Sequence, residues 1–335
     1  MNKYLIILSL AFLSLSTQAS NLISDKRITD QKNCFSSQFT TYDSWRGFIE
    51  GKRKKRIKSP EKLFKAMSSF DTMFGEERFN QYLNNLSCST FKYQVGDKEV
   101  HGYVIKPKFM GKKLPVLIYN RGGNGNFGSV VFGSMMHNLF PIANQGFIII
   151  GSQYRGTRTG NHKLDEFGGK DVNDVTALFD YIPSIEGADP KRVGMYGASR
   201  GGMQTFLALK KLNQVKAVAS IAGVSDLLKQ LDVRPRMEKM YRHRIPHYNE
   251  NKIEALAKRS VLTWVDELSP NVPILLLHGT NDKRVGVNNS IELADALSKN
   301  NIPHKLVVYP GDNHGLSKNK EKANDELVNW FRKYL

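Results

Sequence analysis

The sequence predicts an α/β fold built on a doubly wound, mostly parallel sheet, and two observations predict it. Short runs of continuous apolar residues recur from about residue 91 to the C-terminus, and segments of helical period fall between them. Continuous rather than alternating apolarity suits strands covered on both faces. Alternation of strand and helix supplies the crossovers that parallel strands need.

Each element follows from its residues. Met1-Asn2-Lys3 is a short basic start, Tyr4 to Leu15 is apolar, and Thr17-Gln18-Ala19 places small residues before Ser20. That pattern predicts a secretory signal peptide over 1–19, hence a periplasmic or secreted protein. The apolar run is shorter than the roughly 20 residues a spanning helix needs, so no stable membrane insertion is expected. The two cysteines, Cys34 and Cys88, are too few for a disulfide framework or a four-cysteine zinc module. In an oxidising compartment they are expected to pair, and closing so long a loop contributes about 4 kcal/mol in the chain-entropy account.

Residues 20–90 read as a helical, basic N-terminal extension, with Ser59-Pro60 a good helix start. Phe91–Val95 and Val100–Ile105, split by Gly96-Asp97-Lys98, predict a β-hairpin. Buried strands follow at Leu114–Tyr119, Phe147–Gly151, Val193–Tyr196, Val215–Ile221, Ile274–His278 and Lys305–Tyr309. Helices are expected over Val172–Ile182, Gly201–Leu212, Ser290–Lys299 and Lys322–Tyr334. The catalytic domain is thus 91–335. Residues 224–268 interrupt its alternation with Arg-, His- and Tyr-rich helical sequence, and such an insertion at the carboxyl ends of strands is placed to form a lid.

The 335 residues carry a formal charge of +18, which first points to nucleic acid, anionic membrane or acidic substrates. A content of 40% hydrophobic residues sets aside a disordered polyelectrolyte. The densest basic run, Lys52–Arg56, has no aromatic residues interleaved for base stacking, so it reads as a solvated face and no nucleic-acid partner is expected.

The chemistry lies elsewhere. Gly197-Ala198-Ser199-Arg200-Gly201 follows a short strand and precedes a helix, the context of a nucleophile elbow. Small residues let the tight turn pass, Ser199 is left exposed, and the Arg200 amide at the helix start can donate to an oxyanion. A serine nucleophile needs a base held by an acid, in the order Ser, Asp or Glu, His. Asp282 lies just past the strand Ile274–His278, and His314 just past Lys305–Tyr309. Asp226, also after a strand, is a competing acid, whereas Asp312 is too near His314 along the chain to reach around its ring. His278, at a strand end, reads as satisfying backbone groups. Arg121-Gly122-Gly123, after the strand Leu114–Tyr119, is the candidate source of the second oxyanion donor. No metal or cofactor is expected: His243 and His247 have a metal-like spacing, but no glutamate accompanies them and Pro246 interrupts the turn.

The elbow, the loops of Asp282 and His314, Tyr154-Arg155-Gly156 and Asp165-Glu166-Phe167-Gly168-Gly169-Lys170-Asp171-Val172 together resemble the prolyl oligopeptidase family of serine peptidases. The bacterial dipeptidyl- and acylaminoacyl-peptidase-like members are the most similar, and the resemblance covers about residues 90–335. It implies an α/β-hydrolase fold and cleavage of peptide or ester bonds through an acyl-enzyme. Ser199 would be the nucleophile, Asp282 the orienting acid and His314 the general base and then acid. Tyr154 and Arg155 become candidates for substrate binding. Relatives place a tyrosine just before the glycine pair as an oxyanion donor, where Arg121 stands here. Residues 20–90 are too few for the β-propeller that gates well-known members.

Three functional readings remain: a serine peptidase, a carboxylesterase or deacylase on the same triad, and a non-catalytic basic binding protein that reuses the fold. Arg121, Arg155, Arg158, Arg200 and Arg284, all near the loops of the site, raise the possibility of an anionic, carboxylate-bearing substrate.

Overall fold

The computed structural model describes residues 21–335, so the expected leader over 1–19 lies outside the described residues. Nine strands form one sheet: β1 (Ile28–Asn33), β2 (Leu86–Val95), β3 (Lys98–Pro107), β4 (Leu114–Asn120), β5 (Ile148–Ser152), β6 (Ala188–Ala198), β7 (Val215–Ile221), β8 (Ile274–Gly279) and β9 (His304–Tyr309). Their order is β1-β2-β3-β5-β4-β6-β7-β8-β9. The β1–β2, β2–β3 and β3–β5 pairings are antiparallel, and all pairings from β5–β4 through β9 are parallel. This is the doubly wound α/β-hydrolase sheet that the apolar runs predict.

Those runs are continuous because successive side chains enter different cores. Val116 and Ile118 of β4, Ile148 and Ile150 of β5, and Ile274 and Leu276 of β8 pack on one face. Leu117, Ile149, Leu275 and Leu277 pack on the other. With both faces covered, the middles of these strands are apolar, and polar residues such as Asn120, Ser152 and His278 come only towards their carboxyl ends. The helix Arg200–Leu209 is buried along its whole length, which fixes the elbow that precedes it.

The N-terminal region is not wholly helical. Helices α1 (Tyr42–Lys54), α2 (Pro60–Phe74) and α3 (Glu76–Asn85) are present, with Ser59 accepting from the Lys62 amide at the start of α2. Ahead of them, however, β1 adds an edge strand to the sheet. Its sequence, ITDQKN, buries only Ile28, because an edge strand needs backbone pairing on one side and tolerates polar side chains. β2 also begins at Leu86, earlier than the apolar pattern suggests. Cys34, just after β1, is bonded to Cys88 in β2, with Cα atoms 5.3 Å apart.

The three helices pack through an aromatic cluster. Trp45 is 1% exposed, and its ring lies 4.8 Å from Phe70 and 5.0 Å from Phe132 between ring centroids. Phe132 begins a helical segment running to Ala143, an element the sequence pattern did not single out. The basic end of α1, from Lys52 to Arg56, is exposed apart from half-buried Arg53. No helix among the described residues is long and apolar enough to cross a membrane.

Candidate active site

The elbow is the tightest point of the fold. Ser199 has φ 58° and ψ −124°, a left-handed conformation that costs a non-glycine residue energy and is kept only where its surroundings impose it. Its amide donates to the carbonyl of Ile221, the last residue of β7. The glycine at 201 is a matter of space: a Cβ there would fall on the backbone carbonyl of Asn120 at the end of β4. The sequence motif is therefore explained by the close approach of β4, β6 and the helix start.

The acid and the histidine stand on neighbouring loops tied to each other. Asn281 donates its amide to the Asp312 carbonyl at 2.8 Å, and Gly311 donates to Thr280 Oγ1 at 2.8 Å. Asp312, fully buried, accepts from the amides of Asn313, Lys318 and Asn319 and so shapes the loop that carries His314. His314 Nδ1 lies 2.6 Å from Asp282 Oδ2, while Asp282 Oδ1 accepts from the amides of Arg284 and Val285 at 2.7 and 3.0 Å. Burial pushes the Asp282 carboxyl up, but hydrogen bonds from His278 and His314 outweigh it and hold the group well below the usual carboxylate range. Asp226 is spent elsewhere: its Oδ1 caps the helix Leu227–Val233, accepting from Leu228 and Lys229. His278 meets the backbone at Val285 O, as its sequence position suggests, and also touches Asp282, which the sequence did not signal.

Ser199 and His314 line one cleft of about 470 Å³ together with Gly122 and Gly123. A Cβ on Gly122 would sit 3.2 Å from Ser199 Cβ and 3.0 Å from the Ala198 carbonyl, so its absence lets this loop close on the nucleophile without crowding. The Arg200 amide opens a helix and has no intrahelical acceptor.

The arginine side chains do not serve as the sequence suggested. The Arg121 guanidinium is 1% exposed and turned into the protein, donating to the carbonyls of Gly122, Gly125, Phe127 and Gln153 and to Thr157 Oγ1. It braces the glycine loop from behind and leaves only backbone amides there to face an oxyanion. Arg155 forms a buried pair with Asp174, with Nη2 to Oδ1 2.7 Å, and does not line the cleft. Tyr154 is equally buried; its hydroxyl donates to the Arg121 carbonyl at 3.0 Å and its ring lies under the guanidinium groups of Arg121 and Arg200. Both substrate-binding expectations are thus corrected: these residues support the site from within.

Arg200 explains the Asp165–Val172 motif. Its Nη2 lies 2.7 Å from both Asp165 Oδ1 and Asp171 Oδ2, and its Nη1 donates to the Gly123 carbonyl at 2.9 Å. Asp165 in turn accepts from the Gly125 amide at 2.7 Å. One buried cation thereby joins the elbow to the glycine loop, and two carboxylates neutralise it. A fixed arginine beside the nucleophile required buried acids, a signal the sequence did contain. The insertion over 224–268 adds Arg234, Arg236, Met237 and Tyr241 to the cleft wall, none of them singled out by a motif.

The chain is similar to known proteins. Residues 133–335 match the prolyl oligopeptidase family. The uncharacterized peptidase YtmA of Bacillus subtilis is 25% identical over 259 residues, covering 77% of this chain and 98% of that protein. Dipeptidyl-peptidase 5 of Porphyromonas gingivalis is 28% identical over 221 residues, covering 63% of this chain but 32% of that protein. The chain therefore spans nearly all of the first relative and about a third of the second. Among solved structures, the acylaminoacyl peptidase of Pyrococcus horikoshii superposes with a TM-score of 0.65 at 22% identity, over 76% of this chain and 43% of that one, a likeness of fold. The family match takes in more than half of the chain, including Ser199, Asp282 and His314, and this chain belongs to the prolyl oligopeptidase family.

Proposed function

We propose that this protein is a serine peptidase that cleaves peptide bonds through an acyl-enzyme. The observation that carries this reading is the ordered pair His314–Asp282 on the wall of the cleft that Ser199 enters from a strained elbow. With Nδ1 engaged by Asp282, the Nε2 of His314 is the nitrogen left to take the Ser199 hydroxyl proton. Ser199 Oγ then bonds to the scissile carbonyl carbon. The negative charge that forms on the carbonyl oxygen is met by the amides of Arg200 and of the Gly122–Gly123 loop. Collapse breaks the C–N bond, and His314 returns the proton to the departing amine. Water, deprotonated by the same imidazole, releases the acid and restores Ser199. Asp282 stays ionised throughout and stabilises the imidazolium.

A fluorophosphonate probe should label the full chain at Ser199, and Ser199→Ala should abolish labelling. Labelled protein that cleaves p-nitrophenyl esters and no member of a peptide library would make it an esterase. Absence of labelling in the wild type would end both enzymatic readings. We also propose export to an oxidising compartment, which the leader-like residues 1–19 and the Cys34–Cys88 bond support. Mass spectrometry of the N-terminus after expression in a bacterial host tests it: a mature chain starting near Ser20 is expected, and an intact leader on cytoplasmic protein would overturn it.

A further inference from the structure

The cleft at Ser199 has one sign of charge. Arg234 and Arg236 from the insertion and Arg284 from the loop just past Asp282 line it, and among the described residues no Asp or Glu does. Arg155 is neutralised by Asp174 and Arg200 by Asp165 and Asp171, while Arg121 is turned into the protein and spends its donors on backbone carbonyls and Thr157 Oγ1. Among the described residues, Arg234, Arg236 and Arg284 have no such acid. The Arg234 Nε is buried without an acceptor, and its Nη1 reaches only the Arg284 carbonyl at a long 3.4 Å. Burial first, and then the neighbouring charges of Arg236 and Arg284, press the Arg234 guanidinium towards giving up its proton. Three cations are thus gathered beside a nucleophile with mutual repulsion and unused donors, an arrangement that a bound anion relieves. The rest of the wall mixes apolar side chains, Phe127, Phe167, Val224 and Met237, with the uncharged polar Asn124, Gln230 and Tyr241. Among the described residues, no carboxylate lines the cleft to hold a substrate's free ammonium group.

We propose that the substrate of this site carries a carboxylate close to the scissile bond, bound by Arg234, Arg236 and Arg284. The proposal rests on the hydrolase reading above and names its substrate class. The carboxylate has two sources, an Asp or Glu side chain or the free C-terminus of a short peptide, and the same guanidinium cluster takes either.

Matched substrates separate the sources. One pair of N-acetylated fluorogenic peptides differs only in Glu against Gln next to the cleaved bond; a second pair differs only in a free against an amidated C-terminus. In the full chain the acid member of at least one pair should be favoured on the order of tenfold or more in kcat/KM. Raising salt well above 0.1 M, where the Debye length is about 10 Å, should shrink the ratio. The double variant Arg236→Gln/Arg284→Gln, altered at two exposed side chains, should bring the ratio towards one, and Arg284→Glu should turn the preference towards Lys over Gln. Acid-to-amide ratios near one in both pairs would overturn the proposal. Should no peptide be turned over, the peptidase reading fails on its own, and the carboxylate is still decided by protection: N-acetylglutamate α-amide should slow fluorophosphonate labelling of Ser199 far more than N-acetylglutamine amide, and equal protection would sink it.

Discussion

His278 shares an oxygen of Asp282 with His314: its Nε2 lies 3.2 Å from Asp282 Oδ2, the oxygen that His314 Nδ1 approaches at 2.6 Å. The same Nε2 lies 2.9 Å from the Val285 carbonyl, so both neighbours are acceptors and the ring proton belongs there. Nδ1 meets Ser290 Oγ at 2.7 Å, which completes the ring's partners. This fully buried imidazole is a positioning residue for the acid. His278→Phe is expected to lower kcat about tenfold to a hundredfold with a smaller change in KM, because a displaced carboxylate misaims His314. His278→Gln, which can still donate, should recover part of the loss. Steady-state kinetics on both variants checks this; equal change in kcat and KM would assign His278 a merely structural part.

Gly122 offers a test of the oxyanion loop that leaves the triad untouched. In Gly122→Ala the new methyl crowds the Ala198 carbonyl and the Ser199 Cβ, and the loop or the serine must give by a few tenths of an ångström. Labelling by fluorophosphonate should slow on the order of a hundredfold. The melting transition should reflect no more than the about 1–3 kcal/mol typical of overpacking.

Asp165 links stability to pH. Burial pushes its carboxyl up, but Arg200 and the amides of Gly125 and Phe167 hold it well below the usual carboxylate range. A lowered carboxylate stabilises the fold at pH above the unfolded value near 4 and ceases to do so as pH falls through the folded value. Asp165→Asn, which leaves Arg200 with less counter-charge, should cost about 3–5 kcal/mol at pH 7. Denaturant titrations should show that gap persisting down to about pH 4 and narrowing only in stronger acid.

Lys320 shifts stability with pH in the same direction but in a more alkaline window, because here burial disfavours the charged form. Burial lowers its ammonium to about 8, although Nζ keeps a 2.8 Å hydrogen bond to Asn138 Oδ1. The unfolded chain then binds more protons between about pH 8 and 10, so stability rises with pH across that window. Lys320→Met should be more stable than the wild type by about 1–3 kcal/mol at pH 7, with the difference fading towards pH 10. Parallel melts at the two pH values measure it.

The inner strands of the parallel sheet are readable because both of their faces are buried, as Leu275 and Leu276 entering opposite cores illustrate, while edge strand β9 keeps a shorter, half-buried apolar run. Ser199, Asp282 and His314 are readable for a related reason: each follows a strand of the parallel sheet, and parallel strands bring their ends to one edge. β1 was hidden because its stability comes from backbone pairing to β2, which leaves no apolar period. The arginines were misread because a guanidinium's task depends on which acid the fold brings to it. Arg155 and Arg200 find Asp174, Asp165 and Asp171 inside the protein, whereas Arg284 finds none. Neighbours in space, not in sequence, decide which positive charge stays available.

The bond between Cys34 and Cys88 has a consequence for how the chain survives damage. All three N-terminal helices lie between these two residues, a separation of 54 positions. A single backbone cut anywhere in that stretch leaves both fragments covalently joined. β1 stays laid along β2, and the aromatic cluster around Trp45 is held against Phe132 from two directions. A nicked molecule would travel as an intact one on a non-reducing gel and separate into two pieces only after a reductant is added. The helical region is fastened at both ends, so wear in its exposed turns does not shed it.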